Sequence, residues 1–265
     1  MFNAILLDID GTLVDSNDAH AHAWVAAFTE SGVTVDFARV RRCIGMGGDK
    51  LMPEVSGITE DSPQGRRIGK RRGEIFTAEW LPRLRPFRDV ERLVTALNDR
   101  GFSIVAASSA KKTELRALLE IAGVAAMLEG ATSSDDAEES KPDPDIIEAA
   151  LKQAHAEPGE AVMVGDTPYD VEAATRANVR VIGLRCGGWG DEELKGAAEL
   201  FDDPKALLAN YEGSLIGRGV RAAGGIGAAS DETDGDLRSG RSRDAGGRRG
   251  GEPGEGEETT HVDGA

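Results

Sequence analysis

Two aspartates near the N-terminus directly follow a short apolar run. The segment reads Asp8-Ile-Asp10-Gly11, and it comes after Ala4–Leu7. The apolar run is typical of a buried strand, and the glycine indicates a loop in which both carboxylates can turn toward one pocket. A carboxylate can attack phosphorus when a hard cation neutralises the charge between the two anions. An aspartate pair alone is weak support for this chemistry.

Three further polar clusters occur later in the chain. Asp166 and Asp170 follow a second apolar run, with Asp170 on an opening helix. Carboxylates are the oxygen ligands that Mg²⁺ prefers, so these acids are candidate metal ligands. Ser108 and Ser109 follow a third run and offer hydroxyl groups. Lys141 follows a pair of acids and precedes two prolines, which restrict the local backbone. Its positive charge could offset that of a phosphate and of the acid cluster.

The elements that must position these residues are short apolar runs alternating with amphipathic stretches. The runs are Ala4–Leu7, Ser103–Ala107, Ala161–Val164 and Val179–Leu184. Strands alternating with helices predict parallel β-α-β units, and hence a Rossmann-like, doubly wound parallel sheet of the α/β class. Because ligands bind beyond the carboxyl ends of such strands, the polar clusters could share one pocket.

Three segments of different character predict the domain organisation. Residues 17–84 break the alternation with helical patterns only, which predicts a helical cap inserted after the first strand, with a return hinge near 82–86. Residues 1–16 and 85–213 then form the α/β core. Residues 214–265 are rich in Gly, Arg, Asp and Glu with few large apolar side chains, which predicts a disordered tail.

Composition excludes several classes of protein. The formal net charge of −16 argues against nucleic-acid binding, which needs a basic face. Cys43 and Cys186 match no metal or disulfide pattern. No stretch is apolar for the ~20 residues that a membrane helix needs, and the N-terminus carries no signal-peptide pattern, so we predict a cytoplasmic protein without a membrane partner. The oligomeric state stays open.

The ordered set of four clusters resembles the haloacid dehalogenase superfamily of hydrolases, in the subfamily with a helical cap after the first strand. The resemblance runs from about residue 4 to 211, and the motifs come in the family's order. It implies a Mg²⁺-dependent phosphohydrolase, related to phosphoglycolate phosphatases, that acts on a small phosphorylated metabolite.

The resemblance also implies a role for each motif residue. Asp8 would be the nucleophile and Asp10 the general acid/base, with a pKa raised in the substrate complex. The metal ligands would be Asp8, the carbonyl of Asp10, and Asp166. Phosphoryl oxygens would be held by Ser108 and Lys141, with N–H groups near Gly11 and Ser109. Asp170 would support the metal site from outside, and Thr12 would support the loop.

Several charged cap residues are candidates for contact with the substrate. His20 on the first cap helix is one, and Arg42 and Lys50 beside a glycine-rich loop are two more. The basic run from Arg66 to Arg72 is instead predicted to be the solvent-facing side of a cap helix.

Two alternative functions remain open. A phosphosugar mutase of the β-phosphoglucomutase type would share the core, and His20 and the spacing from Ser108 to Lys111 are similar to it. The cap arginine that holds the distal phosphate in those mutases has no clear counterpart, because Gly48 falls near its place. A non-catalytic binding module on the same fold would be expected to lose the nucleophile or the lysine, which this chain keeps. Asp10 disfavours carbon–halogen cleavage, since true dehalogenases of the family lack the second aspartate.

Overall fold

A single parallel sheet lies at the centre of the computed structural model, which describes residues 1–224. Its strands are β1 (Ala4–Leu7), β2 (Ser103–Ala107), β3 (Gly130–Thr132), β4 (Ala161–Gly165), β5 (Arg180–Leu184) and β6 (Glu199–Phe201). They are ordered β3-β2-β1-β4-β5-β6, and every neighbouring pair is parallel. The order reverses direction at β1, so the first strand and its two neighbours flank the crevice in which ligands bind in such sheets.

Helices cover both faces of the sheet, as a parallel sheet requires. They are α5 (Val90–Asn98), α6 (Lys112–Ala122), α7 (Asp145–Gln153), α8 (Pro168–Arg176) and α9 (Pro204–Ala209). Ile5 and Leu7 join one apolar cluster with α5, α6 and α9, whereas Leu6 joins a second with α7 and α8. All three side chains are fully buried, and each such burial contributes about 1.5–3 kcal/mol. The predicted doubly wound α/β fold is confirmed.

The edge strands β3 and β6 were not predicted from the sequence. Each has three residues, and none of their side chains except that of Thr132 is buried. Such short, partly exposed strands carry no apolar run that would reveal them.

Four helices fill the chain between β1 and α5: α1 (Asn17–Glu30), α2 (Phe37–Arg42), α3 (Gly48–Ser56) and α4 (Pro63–Ile75). A π-helical turn, Phe76–Trp80, continues α4. Helices α2 and α3 are separate, because Gly45 has a φ of +112° in the loop between them. The chain leaves and re-enters the sheet side by side: Asp15 N donates to Arg85 O at 3.1 Å, and Phe87 N donates to Leu13 O at 2.9 Å.

The predicted disordered tail begins too early at residue 214. Leu215–Gly224 form a tenth helix, α10, and the side chain of Ile216 is fully buried in the cluster around α5 and α9. Leu215 and Ile216 supply the apolar surface that the rest of the predicted tail lacks, and this surface can offset the cost of ordering. Residues 225–265 of the predicted tail lie outside the described residues.

Membrane insertion finds no support in the helices of residues 1–224. None of them combines the length and the apolar character that crossing a bilayer would take.

Candidate active site

The carboxyl ends of β1, β2 and β4 meet at the crevice and bring together the residues that follow them. Leu7 of β1 pairs with Ala106 of β2 on one side and with Val164 of β4 on the other. Asp8, Ser108 and Asp166 come one or two residues after these positions. Their proximity therefore follows directly from the strand order.

Asp8 is buried and held by a cation on one side and a hydroxyl on the other. The Nζ of Lys141 donates to Asp8 Oδ1 at 2.6 Å and to the Ala107 carbonyl at 2.7 Å. The hydroxyl of Thr12 lies 3.1 Å from Asp8 Oδ2 and 2.8 Å from Asp166 Oδ1. These contacts fix the direction of both Asp8 oxygens, which is what a carboxylate nucleophile needs.

Asp166 and Asp170 complete a cluster of three buried acids with Asp8. One carboxylate oxygen from each lies within 4.8 Å of one from each of the others. Asn17 Nδ2 donates to Asp166 Oδ2 at 2.9 Å. Lys141 Nζ contacts Asp170 Oδ1 at 2.7 Å. Lys141 therefore contacts two of the three acids, and the cluster holds more negative than positive charge.

Burial and the negative charges of this cluster raise the pKa values of two of its acids. Burial, with the Asp170 charge, raises the pKa of Asp8 to about 7 despite the nearby lysine. Burial and the Asp8 charge raise the pKa of Asp166 well above its ordinary value. An excess of buried negative charge on converging oxygens fits a hard divalent cation, which would remove the repulsion that raises these values.

Asp170 also caps the helix that carries it. Its Oδ2 accepts hydrogen bonds from the N–H of Thr167 at 3.0 Å and from the Thr167 hydroxyl at 2.7 Å. The residue therefore starts α8 and supports the lysine at the same time.

Asp10 lies in the loop after β1 and is held by Ser16, which precedes α1, and by His20 in its first turn. Its Oδ1 accepts a hydrogen bond from Ser16 Oγ at 2.5 Å and lies 2.7 Å from Nε2 of His20. Burial alone would raise the pKa of Asp10, but His20, Ser16 and Arg72 outweigh it and hold the pKa below its ordinary value. Asp10 is therefore ionised in the ligand-free protein.

A pocket of about 50 Å³ opens above Asp8 and Asp10 and is also lined by Ser108 and Ser109. Ser108 is buried, and its Oγ accepts a hydrogen bond from Ala110 N at 3.1 Å. The hydroxyl of Ser109 donates to the Gly45 carbonyl of the cap at 3.2 Å, so this side chain joins cap and core.

Gly11 is required by the closeness of its neighbours. It has a φ of +80°, and a Cβ there would lie 2.1 Å from Asn17 Nδ2 and 2.3 Å from Asp166 Oδ2. The position admits no side chain.

The three predicted cap contacts have different outcomes. His20 is buried and lines the pocket beside Asp10. The structure does not bring Arg42 and Lys50 there. The guanidinium of Arg42 lies over the Trp189 ring at 4.6 Å. Lys50 pairs with Glu139, and with a second core acid at 3.0 Å. Both cations meet acids or rings of the core, which opposite charge and stacking favour over an empty pocket.

The prediction that the basic run from Arg66 to Arg72 faces solvent is wrong for Arg72. Its guanidinium bonds Glu114 of α6 at 2.6 Å and lies 3.1 Å from Nδ1 of His20. Its side chain is only 15% exposed. Sequence reasoning missed Arg72, Glu114, Ser16 and Asn17. Only the position of Ser16 and Asn17 just after the Asp-containing loop could have signalled two of them.

Comparison with known proteins agrees with this geometry. The model of the family described as "Haloacid dehalogenase-like hydrolase" matches residues 5–184. Protein SUPPRESSOR OF QUENCHING 1, chloroplastic, of Arabidopsis thaliana is 33% identical over 69% of this chain, which spans 18% of that protein's length. A phosphoglycolate phosphatase of Rhodospirillum rubrum is 29% identical over 78% of this chain and 90% of its own. A hydrolase from Pseudomonas syringae has a TM-score of 0.75 at 25% identity, covering 80% of this chain and 98% of that one. The predicted resemblance is confirmed.

Proposed function

Because the chain belongs to the haloacid dehalogenase-like hydrolase family, we propose that it is a phosphatase that releases phosphate from a small phosphorylated metabolite, with Asp8 as nucleophile. The observation that carries this proposal is the buried Asp8 carboxylate, held by Lys141 at 2.6 Å and facing Asp166 across the hydroxyl of Thr12. The names of relatives that act on small phosphate esters support the substrate class.

We propose Mg²⁺ as the cofactor. Asp8, Asp166 and the carbonyl of Asp10 would hold it, with Asp170 supporting the site from outside. When bound, the ion would neutralise the negative charges of the acids and of the phosphoryl group. The converging buried oxygens of Asp8, Asp166 and Asp170 support this assignment.

The protein residues would divide the displacement into two steps. The Asp8 carboxylate attacks phosphorus and forms an acyl phosphate, while the bond to the leaving oxygen breaks. Water then attacks phosphorus and releases inorganic phosphate and free Asp8. The ammonium group of Lys141 and the hydroxyl of Ser108 would hold phosphoryl oxygens in both steps, so the charge that develops is stabilised by groups already in place.

Asp10 would carry the proton in both steps. It would give a proton to the leaving oxygen and later take one from the attacking water. Its pKa is lowered in the ligand-free protein by His20 and Ser16, although burial opposes them. A phosphate dianion beside the carboxylate would raise its proton affinity through like-charge repulsion, so the acid form would appear together with the substrate.

Hydrolysis ranks above the mutase alternative because the cap positions Gly48, Arg42 and Arg72 leave no cation to hold a second phosphate. A mutase must hold a second phosphate away from Asp8. Gly48 offers no charge, Arg42 lies over Trp189, and Arg72 is already engaged by Glu114. Incubation with β-glucose 1-phosphate and the bisphosphate activator would separate isomerisation from phosphate release.

The proposal is tested by phosphate release from p-nitrophenyl phosphate with Mg²⁺. We expect turnover by the native chain and a loss of at least about 10³-fold in Asp8→Asn, because the nucleophile is removed. Asp61→Asn, an exposed acid on the cap, serves as the matched control and should keep its activity. Acid quenching of a reaction with labelled substrate should leave label on residue 8. Inactivity on a broad panel of phosphate esters would favour the non-catalytic module instead.

A further inference from the structure

A second cavity, of about 290 Å³, adjoins the catalytic pocket between cap and core. The two share Trp24, Gly48, Arg72, Ser109 and Ala110 as lining residues. The cavity is therefore where the part of a substrate beyond the phosphoryl group would lie. Its chemistry decides which leaving group fits.

Carboxylates outnumber cations on the cavity wall. Five acids and two bases line it: Asp49, Glu60, Glu114, Asp135 and Glu138, against Arg72 and Lys111. Arg72 is paired with Glu114, whose Oε2 lies 2.6 Å from the Nη1 of the arginine. Lys111 lines the cavity, is exposed, and has no ion-pair partner among residues 1–224. The wall as a whole is acidic.

Glu60 stands out among these acids. Within residues 1–224, no N–H or O–H group donates a hydrogen bond to its carboxylate, whereas Asp49 accepts one from Ser140 Oγ at 2.5 Å. Burial raises the pKa of Glu60; the charge of Lys111 opposes this rise, and the charge of Asp49 adds to it. A half-buried carboxylate with free lone pairs is an acceptor that a ligand hydroxyl can satisfy.

Two glycines keep the space in front of Glu60 open. A Cβ on Gly48 would lie 3.6 Å from Glu60 Oε1 and 3.3 Å from the Trp24 ring. A Cβ on Gly69 would lie 4.0 Å from the same Glu60 oxygen. The carboxylate and the indole edge therefore border one volume that no side chain of residues 48 or 69 enters.

We propose that this cavity binds an uncharged, polyhydroxylated leaving group, and that Glu60 selects it. The substrate class is accordingly a sugar or cyclitol monophosphate, an assignment that rests on the proposed function. Hydroxyl groups donate to Glu60, and the C–H face of the ring packs on Trp24. A leaving group with a carboxylate or a second phosphate would meet a wall on which five acids face two cations, with only Lys111 not engaged by an acid among residues 1–224, and is disfavoured.

The test compares glucose 6-phosphate with phosphoglycolate, and uses acetyl phosphate as a substrate whose leaving group carries neither a hydroxyl nor a second anionic group for Glu60 to select. In the native protein we expect kcat/KM for glucose 6-phosphate to exceed that for phosphoglycolate by about tenfold or more. Glu60→Gln should lower kcat/KM for glucose 6-phosphate about tenfold through the loss of charge-assisted hydrogen bonds, and should raise that for phosphoglycolate.

Two further variants sharpen the test. Gly48→Lys places a cation beside Glu60 and should shift the preference toward phosphoglycolate. Asp61→Asn makes the same change of charge as Glu60→Gln one residue away and outside the cavity, and should leave the ratio of the two kcat/KM values unchanged. Turnover of acetyl phosphate by every variant checks that the catalytic groups are intact.

The outcomes separate this inference from the function on which it rests. If the native protein releases no phosphate from acetyl or p-nitrophenyl phosphate, the proposed phosphatase function fails. If it hydrolyses these esters but prefers phosphoglycolate, or if Glu60→Gln leaves the ratio of the two kcat/KM values unchanged, the assignment of the cavity is overturned while the phosphatase function stands.

Discussion

Replacing Asp8 by asparagine should raise the free energy of unfolding of the metal-free protein at alkaline pH. Asparagine has nearly the shape of aspartate and can keep both contacts of residue 8. Its Oδ1 can accept from Lys141, and its Nδ2 can donate to the Thr12 hydroxyl, which can itself donate to Asp166 Oδ1 at 2.8 Å. The substitution therefore removes a buried charge with little change in packing.

The size of the effect follows from the pKa of Asp8. Burial, with the Asp170 charge, raises this pKa from 3.8 to about 7. The folded protein thus binds the proton more tightly than the unfolded chain, so its stability falls as pH rises toward 7. A rise of about three pKa units corresponds to about 4 kcal/mol at pH above 7, of which about 2–3 kcal/mol develops between about pH 5 and 8. The substitution also removes the repulsion between the charges of Asp8 and Asp166. The measured difference in the free energy of unfolding includes this contribution.

Urea unfolding followed by tryptophan fluorescence, in the presence of a chelator, measures this difference. We expect the gap between Asp8→Asn and the native chain to widen by about 2–3 kcal/mol from about pH 5 to pH 8. The exposed-acid control Asp61→Asn should follow the native chain at every pH. Saturating Mg²⁺ should narrow the gap. The ion stabilises a folded protein that binds it, so it should stabilise the native chain more than Asp8→Asn, which lacks one proposed ligand. A gap that stays constant over this pH range would refute the electrostatic argument.

Two further predictions concern the support of the site. Lys141→Met leaves Asp8 and Asp170 buried without their cation and should lower the free energy of unfolding by about 3–5 kcal/mol near neutral pH in chelator; a loss below about 1 kcal/mol in urea unfolding would contradict the buried ion pair. Gly11→Ala forces a side chain into a φ of +80° with its Cβ 2.1 Å from Asn17 Nδ2, and should cost about 1–3 kcal/mol together with most of the phosphate release. Normal stability with full activity would show that the loop has room there.

The amino-acid sequence by itself determined the fold class and the positions of the acids that meet. Apolar runs ending in polar residues mark β1, β2 and β4, and the rules of parallel sheets bring their ends to one crevice. That is why Asp8, Ser108 and Asp166 could be assigned to one pocket before any distance was known. The motif order did the same for Lys141.

Only the tertiary structure decided the partners of the cap residues and the limits of the weakest elements. Arg72, Arg42 and Lys50 are all basic residues of the predicted helical cap, and periodicity does not distinguish a buried cation from an exposed one. What distinguishes Arg72 is Glu114, a residue 42 positions away that packing brings to 2.6 Å. The helix at Leu215–Gly224 likewise depends on the apolar cluster in which Ile216 is buried. Charge pairing and burial depend on neighbours that are distant in sequence, so local patterns do not carry that information.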